Sequence, residues 1–362
     1  MTDPGGGGSG DGIVLEARHH SPHIIEMERT GPATLAEVMT RVEEEAARGE
    51  TSRYISLPTG FDPLDDILNG GMRRGELLII GGAFGVGKTI FGLQMARNIV
   101  RSNPNARAMY ICYEHDRDHL MSRLLCLESA ERGDGDQALT LRRLAQMAQD
   151  ASTGAGLINR LQMTPRYRPV VETMADYGDR LILVKASGDT STLDDVRRWV
   201  NDAARAGTGQ LVVVVDYLQK IPVNWATLQP ETEVTTHLTQ GLKELAMALG
   251  VQVVAIAASD RIGLKSKRMR LSDLRGSSAL QYEADVGLIL NNKWAIVSRE
   301  HMVYNPGMAD AMRGWVVMTV EKNRAGRNAV DMEYRLDAAH FRFITEGRFV
   351  RERLVDEKLV LE

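Results

Sequence analysis

The sequence predicts one doubly wound α/β domain built around a phosphate-binding loop, its sheet mostly parallel, twisted and flanked by helices. Three observations carry that expectation. Residues 77–80 form a short, wholly apolar run that leads into Gly82-Ala-Phe-Gly-Val-Gly87-Lys88-Thr89, and a helical pattern with Ile90, Phe91, Leu93, Met95 and Ala96 follows. Strand, glycine loop and helix in that order is the context in which G-x-x-x-x-G-K-S/T denotes a P-loop. Apolar runs of strand length at 107–113, 181–185, 211–216 and 251–258 alternate with helical stretches at 119–128, 192–206 and 235–249, the alternation of a parallel sheet. Residues 284–290, 315–320, 332–336 and 341–345 are then strands with little helix between them, the pattern of a C-terminal β-meander.

The loop has direct chemistry. Gly82, Gly85 and Gly87 let the backbone, including Ala83, Phe84 and Val86, turn its N–H groups towards an anion. The N-terminus of the following helix adds partial positive charge. In this motif Lys88 reaches the β- and γ-phosphates and the Thr89 hydroxyl sits on Mg²⁺, so the ligands expected are ATP and Mg²⁺. The run 211–215 ends in Asp216, and an acid closing an apolar strand downstream of a P-loop is the pattern that holds the same cation.

Composition narrows the remaining possibilities. Over 362 residues, 43% are apolar and 25% charged, ordinary for a globular protein. No run of 18 apolar residues suits a membrane helix, and no basic-then-apolar leader is present, so a cytoplasmic protein is expected. Cys112 and Cys126 lie in apolar stretches without metal-ligand spacing and read as core residues. The net charge of −4 excludes a globally basic nucleic-acid binder, yet residues 260–275 carry Arg261, Lys265, Lys267, Arg268, Arg270 and Arg275 against Asp260 and Asp273, a local basic patch. Residues 1–33 read as a glycine-rich tail and polar arm, in which His19, His20 and His23 lack metal-ligand partners. Residues 34–50 form an amphipathic helix opened by the capping box Thr34-Leu-Ala-Glu37, with Leu35, Val38, Met39, Val42 and Ala46 on one face. The ATPase domain is expected over 52–345, with helices and loops on the sheet's flank at 129–180 and a peripheral charged tail at 346–362.

The runs PTGFDPLDDILNGGMRRGELLIIGGAFGVGKT, VVVDYLQKI, LSDLRGSSALQYEAD and VEKNRAGR resemble, in order, the C-terminal motor domain of DnaB-type replicative helicases, which has a RecA-like fold. The resemblance implies an ATP-hydrolysing hexameric motor acting on single-stranded DNA. It implies that Glu114 activates the attacking water and that Lys322 and Arg324 reach into a neighbouring subunit's ATP site. By the same resemblance the helix at 34–48 grips the next subunit, and Arg275, Gly276 and Ser278 contact DNA. Six copies of the basic segment, with Arg261, Lys265, Lys267 and Arg268, would form a positive funnel for phosphates. A loader or another protein partner would dock through the N-terminal arm. The chain departs from the pattern where the family's phosphate-sensing Gln reads Ala258, and the stretch before the motor is too short for the family's helical collar. The alternative is an ATP-gated assembly or regulatory ATPase of RecA or KaiC type without unwinding. Loss of the sensing Gln favours it, whereas Glu114, Lys322 and Arg324 favour hydrolysis. Replacement of Lys88 by Ala is expected to abolish nucleotide binding and leave the circular-dichroism spectrum unchanged; retained affinity in a nucleotide titration would refute the P-loop reading.

Overall fold

The computed structural model describes residues 31–49, 51, 54–149, 154–207, 209–225, 230–260, 266–297 and 311–355. Six strands run parallel: β1 (Leu77–Gly82), β2 (Ala106–Cys112), β3 (Leu181–Lys185), β4 (Gln210–Asp216), β5 (Gln252–Ile256) and β6 (Val286–Asn292). The antiparallel strands β7 (Trp315–Asn323), β8 (Val330–Asp337), β9 (Arg342–Phe343) and β10 (Arg348–Phe349) extend one edge. The order across the sheet is β10-β8-β7-β6-β1-β5-β4-β2-β3, with β9 paired to β8. β1 lies at the centre, buried on both faces. Wholly apolar strands need cover on both sides, and period-two alternation sorts their side chains. Leu78 and Ile80 join the core beneath α3 (Lys88–Ser102), while Leu77 and Ile79 join the core beneath α8 (Leu193–Arg205) and α9 (Glu231–Leu249).

Helix signals in the sequence act as written. Thr34 and Glu37 form the capping box of α1 (Leu35–Ala47), with the Thr34 N–H 2.7 Å from the Glu37 carboxylate, and Gly49 at φ +77° closes the helix. α1 keeps its apolar face open: Leu35 is 75% and Met39 63% exposed. The short α2 (Leu64–Ile67) precedes β1. Thr192 and Asp195 make a second capping box on α8. The stretch 129–180, featureless in the sequence, holds α5 (Leu141–Gln149), α6 (Leu157–Met163) and α7 (Arg168–Tyr177). With α4 (Arg117–Glu131) they enclose a small core of their own, in which Cys126 packs with Leu125, Leu139, Leu144, Leu161 and Val170.

Two boundaries differ from expectation. β5 stops at Ile256 rather than 258, because Ala258 turns its backbone towards Arg275. At the other end the sheet runs past 345: β10 pairs with β8, and buried Lys293 donates to Glu352 at 2.8 Å. A buried ammonium needs carboxylate partners, so residues 346–355 are bound to the domain instead of forming a peripheral tail.

Arg97 of α3 ties the layers together. It is buried, its Nε donates to Glu128 at 2.6 Å, and Glu128 also accepts from Tyr177 at 2.8 Å. Removing one partner of a buried ion pair strands the other charge, so Arg97→Ala is expected to cost about 3–5 kcal/mol in urea unfolding. A loss below ~1 kcal/mol would mean the network is dispensable.

Candidate functional site

The site is built at the carboxyl ends of β1, β2, β4 and β5. From the last residue of β1 onward the backbone takes positive φ at Gly82 (+148°), Gly85 (+75°) and Gly87 (+95°). At two of these positions space as well as conformation demands glycine. A Cβ on Gly82 would lie 2.5 Å from the Leu290 carbonyl, and one on Gly87 2.8 Å from Phe343 Cζ. Gly85 has open space around it, so only its conformation matters there. The loop feeds the N-terminus of α3, whose first turn carries no acid, leaving its positive end for an anion. Lys88 Nζ donates to the Gly82 and Ala83 carbonyls, both at 2.8 Å. Burial holds its pKa below the ordinary lysine value, opposed by Asp216 and Glu114.

Asp216 closes β4 and is 1% exposed. Burial pushes its carboxyl pKa up, while hydrogen bonds from Tyr110 (2.7 Å) and Thr89 oppose the shift. The Thr89 hydroxyl and the Asp216 carboxylate are hard oxygen donors, the set that suits Mg²⁺ held jointly with substrate phosphates. No group of three or more His, Cys, Asp or Glu able to hold a metal occurs among the described residues, so such a cation would rely on those phosphates. Glu114 follows β2 and lines the same cleft. Ser259, 8% exposed and also on the cleft wall, has a hydroxyl without a hydrogen-bond partner, which a phosphate oxygen would satisfy.

Sequence reasoning missed four contributors. Tyr110 looks like a core residue in an apolar strand, yet its hydroxyl holds Asp216. Arg123 of α4 reaches the cleft, where it lies 5.0 Å above the Phe341 ring; Phe341 comes from the β-meander and lines the cleft too. Gln94 of α3 accepts from Phe343 N–H at 2.7 Å and donates to its carbonyl at 2.9 Å, fastening the meander over the P-loop helix. Apart from the P-loop itself, these contacts join residues distant in the chain, for which no local signal exists.

The structure separates the other expected residues. Lys322 and Arg324 lie at the opposite end of the sheet, bonded to α10 (Ser277–Glu283). Lys322 Nζ donates to the Tyr282 carbonyl at 3.1 Å, and Arg324 Nη1 to Asp285 at 3.2 Å. Burial and the Arg324 charge lower the Lys322 pKa. Arg261 and Lys265 fall outside the described residues. Lys267, Arg275 and Ser278 are exposed. Arg268 is not a surface cation: it is 7% exposed and paired with Asp331. The cause is Asn291, whose side chain bonds both backbone groups of Met269, at 2.8 and 3.0 Å, and so zips the segment onto β6. Arg270 pairs with Glu321 and Arg275 with Glu231, so much of the expected positive funnel is neutralised locally. No helix among the described residues is long and apolar enough to cross a membrane.

Sheet and site together define a P-loop domain with the RecA-like fold. Residues 56–343 match the family model described as DnaB-like helicase C terminal domain. The chain belongs to that family. It is similar to the replicative DNA helicase DnaB of Geobacillus stearothermophilus, 25% identical over 252 residues that cover 69% of this chain and 50% of that protein. The replicative DNA helicase DnaB of Mycoplasma pneumoniae is 27% identical over 320 residues, 86% of this chain and 62% of that protein. The chain thus spans between 50% and 62% of the length of these relatives. Among solved structures, one described as an ATPase domain shares the fold with a TM-score of 0.67 at 18% identity, covering 87% of this chain and 99% of that one. A DnaB-like replicative helicase described with its primase interactions gives 0.63 at 19% identity, covering 87% and 67%.

The Arg123 guanidinium can only donate, so His119 Nε2 and His115 Nε2, each 3.0 Å from it, must both accept. Burial first, then the Arg123 charge, hold both imidazole pKa values below the ordinary histidine value, with Asp116 opposing at both and Glu114 at His115. A lowered pKa favours the neutral ring, so this arrangement is complete above the ordinary value and is lost as pH falls through the lowered one. Nucleotide affinity measured from about pH 8 to about pH 5 is therefore expected to fall on the acidic side of the ordinary histidine value. Replacing both histidines by Gln, which still accepts, should flatten that acidic limb; an unchanged limb would rule the histidines out.

Proposed function

We propose that this chain is the ATP-hydrolysing, Mg²⁺-dependent motor of a hexameric DnaB-like helicase that acts on single-stranded DNA in the cytoplasm. The observation that carries the proposal is the position of Lys322 and Arg324. Arg324 N–H donates to the Asp285 carbonyl, and Asp285 N–H to that of Leu77. From Leu77 to Gly82 is five residue steps along β1, or about 17 Å. Arg324 cannot reach its own P-loop, so if it serves a transferred phosphoryl group it does so in the site of an adjacent copy. The open apolar face of α1 supports the same assembly, as a surface for a neighbour to cover.

Within one cleft, Lys88 and the loop amides would bind the phosphates, and Thr89 and Asp216 would hold Mg²⁺. Glu114, at the end of the strand β2, would orient and deprotonate the water. Lys322 and Arg324 of the next subunit would offset charge on the phosphoryl group. DNA would run along Arg275, Gly276 and Ser278, with Lys267 exposed nearby. Residues ahead of α1 would receive a loader.

Replacement of Arg324 by Ala is expected to leave nucleotide binding near normal and cut turnover by ~10³. Mixing Arg324→Ala with Lys88→Ala subunits should restore part of the rate, since one supplies the loop and the other the arginine. Failure of the mixture to recover activity would refute a shared site. Turnover of the unaltered protein should rise with single-stranded DNA, and the rise should fade as salt increases; indifference to DNA would favour a regulatory ATPase.

A further inference from the structure

Beyond Asp216 the chain makes a tight turn through Leu218–Lys220, which places Gln219 half-buried beside the exit of β5. Its Oε1 accepts from the Ala258 N–H at 3.0 Å, and its Nε2 donates to the Arg275 carbonyl at 3.1 Å. Those two residues are also joined directly, Arg275 N–H donating to the Ala258 carbonyl at 3.0 Å. The carboxamide therefore faces one donor and one acceptor, and a flipped amide would set like against like. Next to this latch, Ser259 pairs with Leu274 in an antiparallel bridge, and Asp260 N–H donates to the Asp273 carbonyl at 3.0 Å.

The latch has two ends. One is the nucleotide cleft, whose wall includes Asp216, Ala258, Ser259 and Arg275. There the Ser259 hydroxyl, buried and without a partner, can donate to a phosphate oxygen. The other end is the start of α10. Gly276 sits at φ +75°, where a Cβ would lie 2.4 Å from Thr235 Cβ. Close packing of that kind leaves no slack, so a displacement of Arg275 must be passed on to α10. Ala257 and Ala258 have no polar side chain to make this link. Gln219 makes it from the turn that follows β4.

We propose that Gln219 is a positioning residue that couples the phosphate state of the cleft to the Arg275–Ser278 segment, with Ser259 as the group that reads the terminal phosphate. This rests on the reading of that segment as the DNA-facing one. A phosphate that engages Ser259 shifts Ala258 and Ser259, and the Gln219 carboxamide carries the shift to the Arg275 carbonyl. By linkage, DNA on that segment must change triphosphate affinity by the factor with which triphosphate changes DNA affinity.

The test uses Gln219→Met, which keeps length and loses both hydrogen bonds, and Gln219→Glu, which keeps the acceptor for Ala258 and opposes an oxygen to the Arg275 carbonyl. Oligothymidylate affinity is measured by fluorescence anisotropy with a non-hydrolysable ATP analogue and with ADP, alongside ATPase rates without DNA. In the unaltered protein the two nucleotides are expected to change DNA affinity by about 5–150-fold. In Gln219→Met that ratio is expected to collapse to within about twofold while the DNA-free rate stays within about twofold, with Gln219→Glu between. Ser259→Ala should lessen the preference for the triphosphate over ADP. If the unaltered protein does not bind oligothymidylate, the underlying DNA reading fails. If it binds with a nucleotide-dependent ratio that both variants keep, the role of Gln219 fails. If the DNA-free rate collapses in both variants, Gln219 is scaffold for the cleft and the positioning role is overturned.

Discussion

A carboxylate taken out of water has to be compensated where it lies, and the buried Asp216 imposes that condition on the whole domain. Its partners come from different elements: Tyr110 from β2 and Thr89 from the first turn of α3. β2 must therefore lie beside β4 in the register that sets Cys112 against Asp216, and α3 must come down close on the sheet. Gly92 permits that approach, since a Cβ there would stand 3.1 Å from Ile256 Cδ1 and 3.4 Å from Val214 Cγ1. The glycine loop, which has to span from β1 to α3, is thereby held in one shape.

The antiparallel edge serves two ends of the molecule. Through Phe341 and Phe343 it roofs the P-loop and supports Arg123. Through Lys322 and Arg324 it presents cations at the far end of the sheet, fastened to α10. One hairpin system thus covers the P-loop cleft of its own chain and carries the cations proposed above for a neighbouring copy's. The hydrogen bonds that hold those cations on α10 are partly exposed, and exposed ionic contacts are weak enough to exchange.

The segment 266–275 shows how far charge counts can mislead. Arg268, Arg270 and Arg275 each face a carboxylate supplied from β7, β8 or α9. Under the proposed function, its contribution to an anionic polymer would lie in backbone geometry and a few exposed side chains more than in a basic field.

Local pattern along the chain encodes the P-loop, the acid after β4, the capping box at Thr34 and the order of strands and helices. Those features were legible because each depends on residues within a turn or two of one another. The small core formed by 129–180 was not legible, since its apolar residues are spread over several short helices with no single sustained period. Nor could the chain alone show that Tyr110 serves a carboxylate, that Arg268 turns inward, or that Gln219 stands where Ala258 offers nothing. Each of those depends on which strand lies next to which, and sheet order joins residues far apart in sequence. The distance of Arg324 from its own P-loop is the same kind of fact. Only the register of β6 and β7 on β1 decided it.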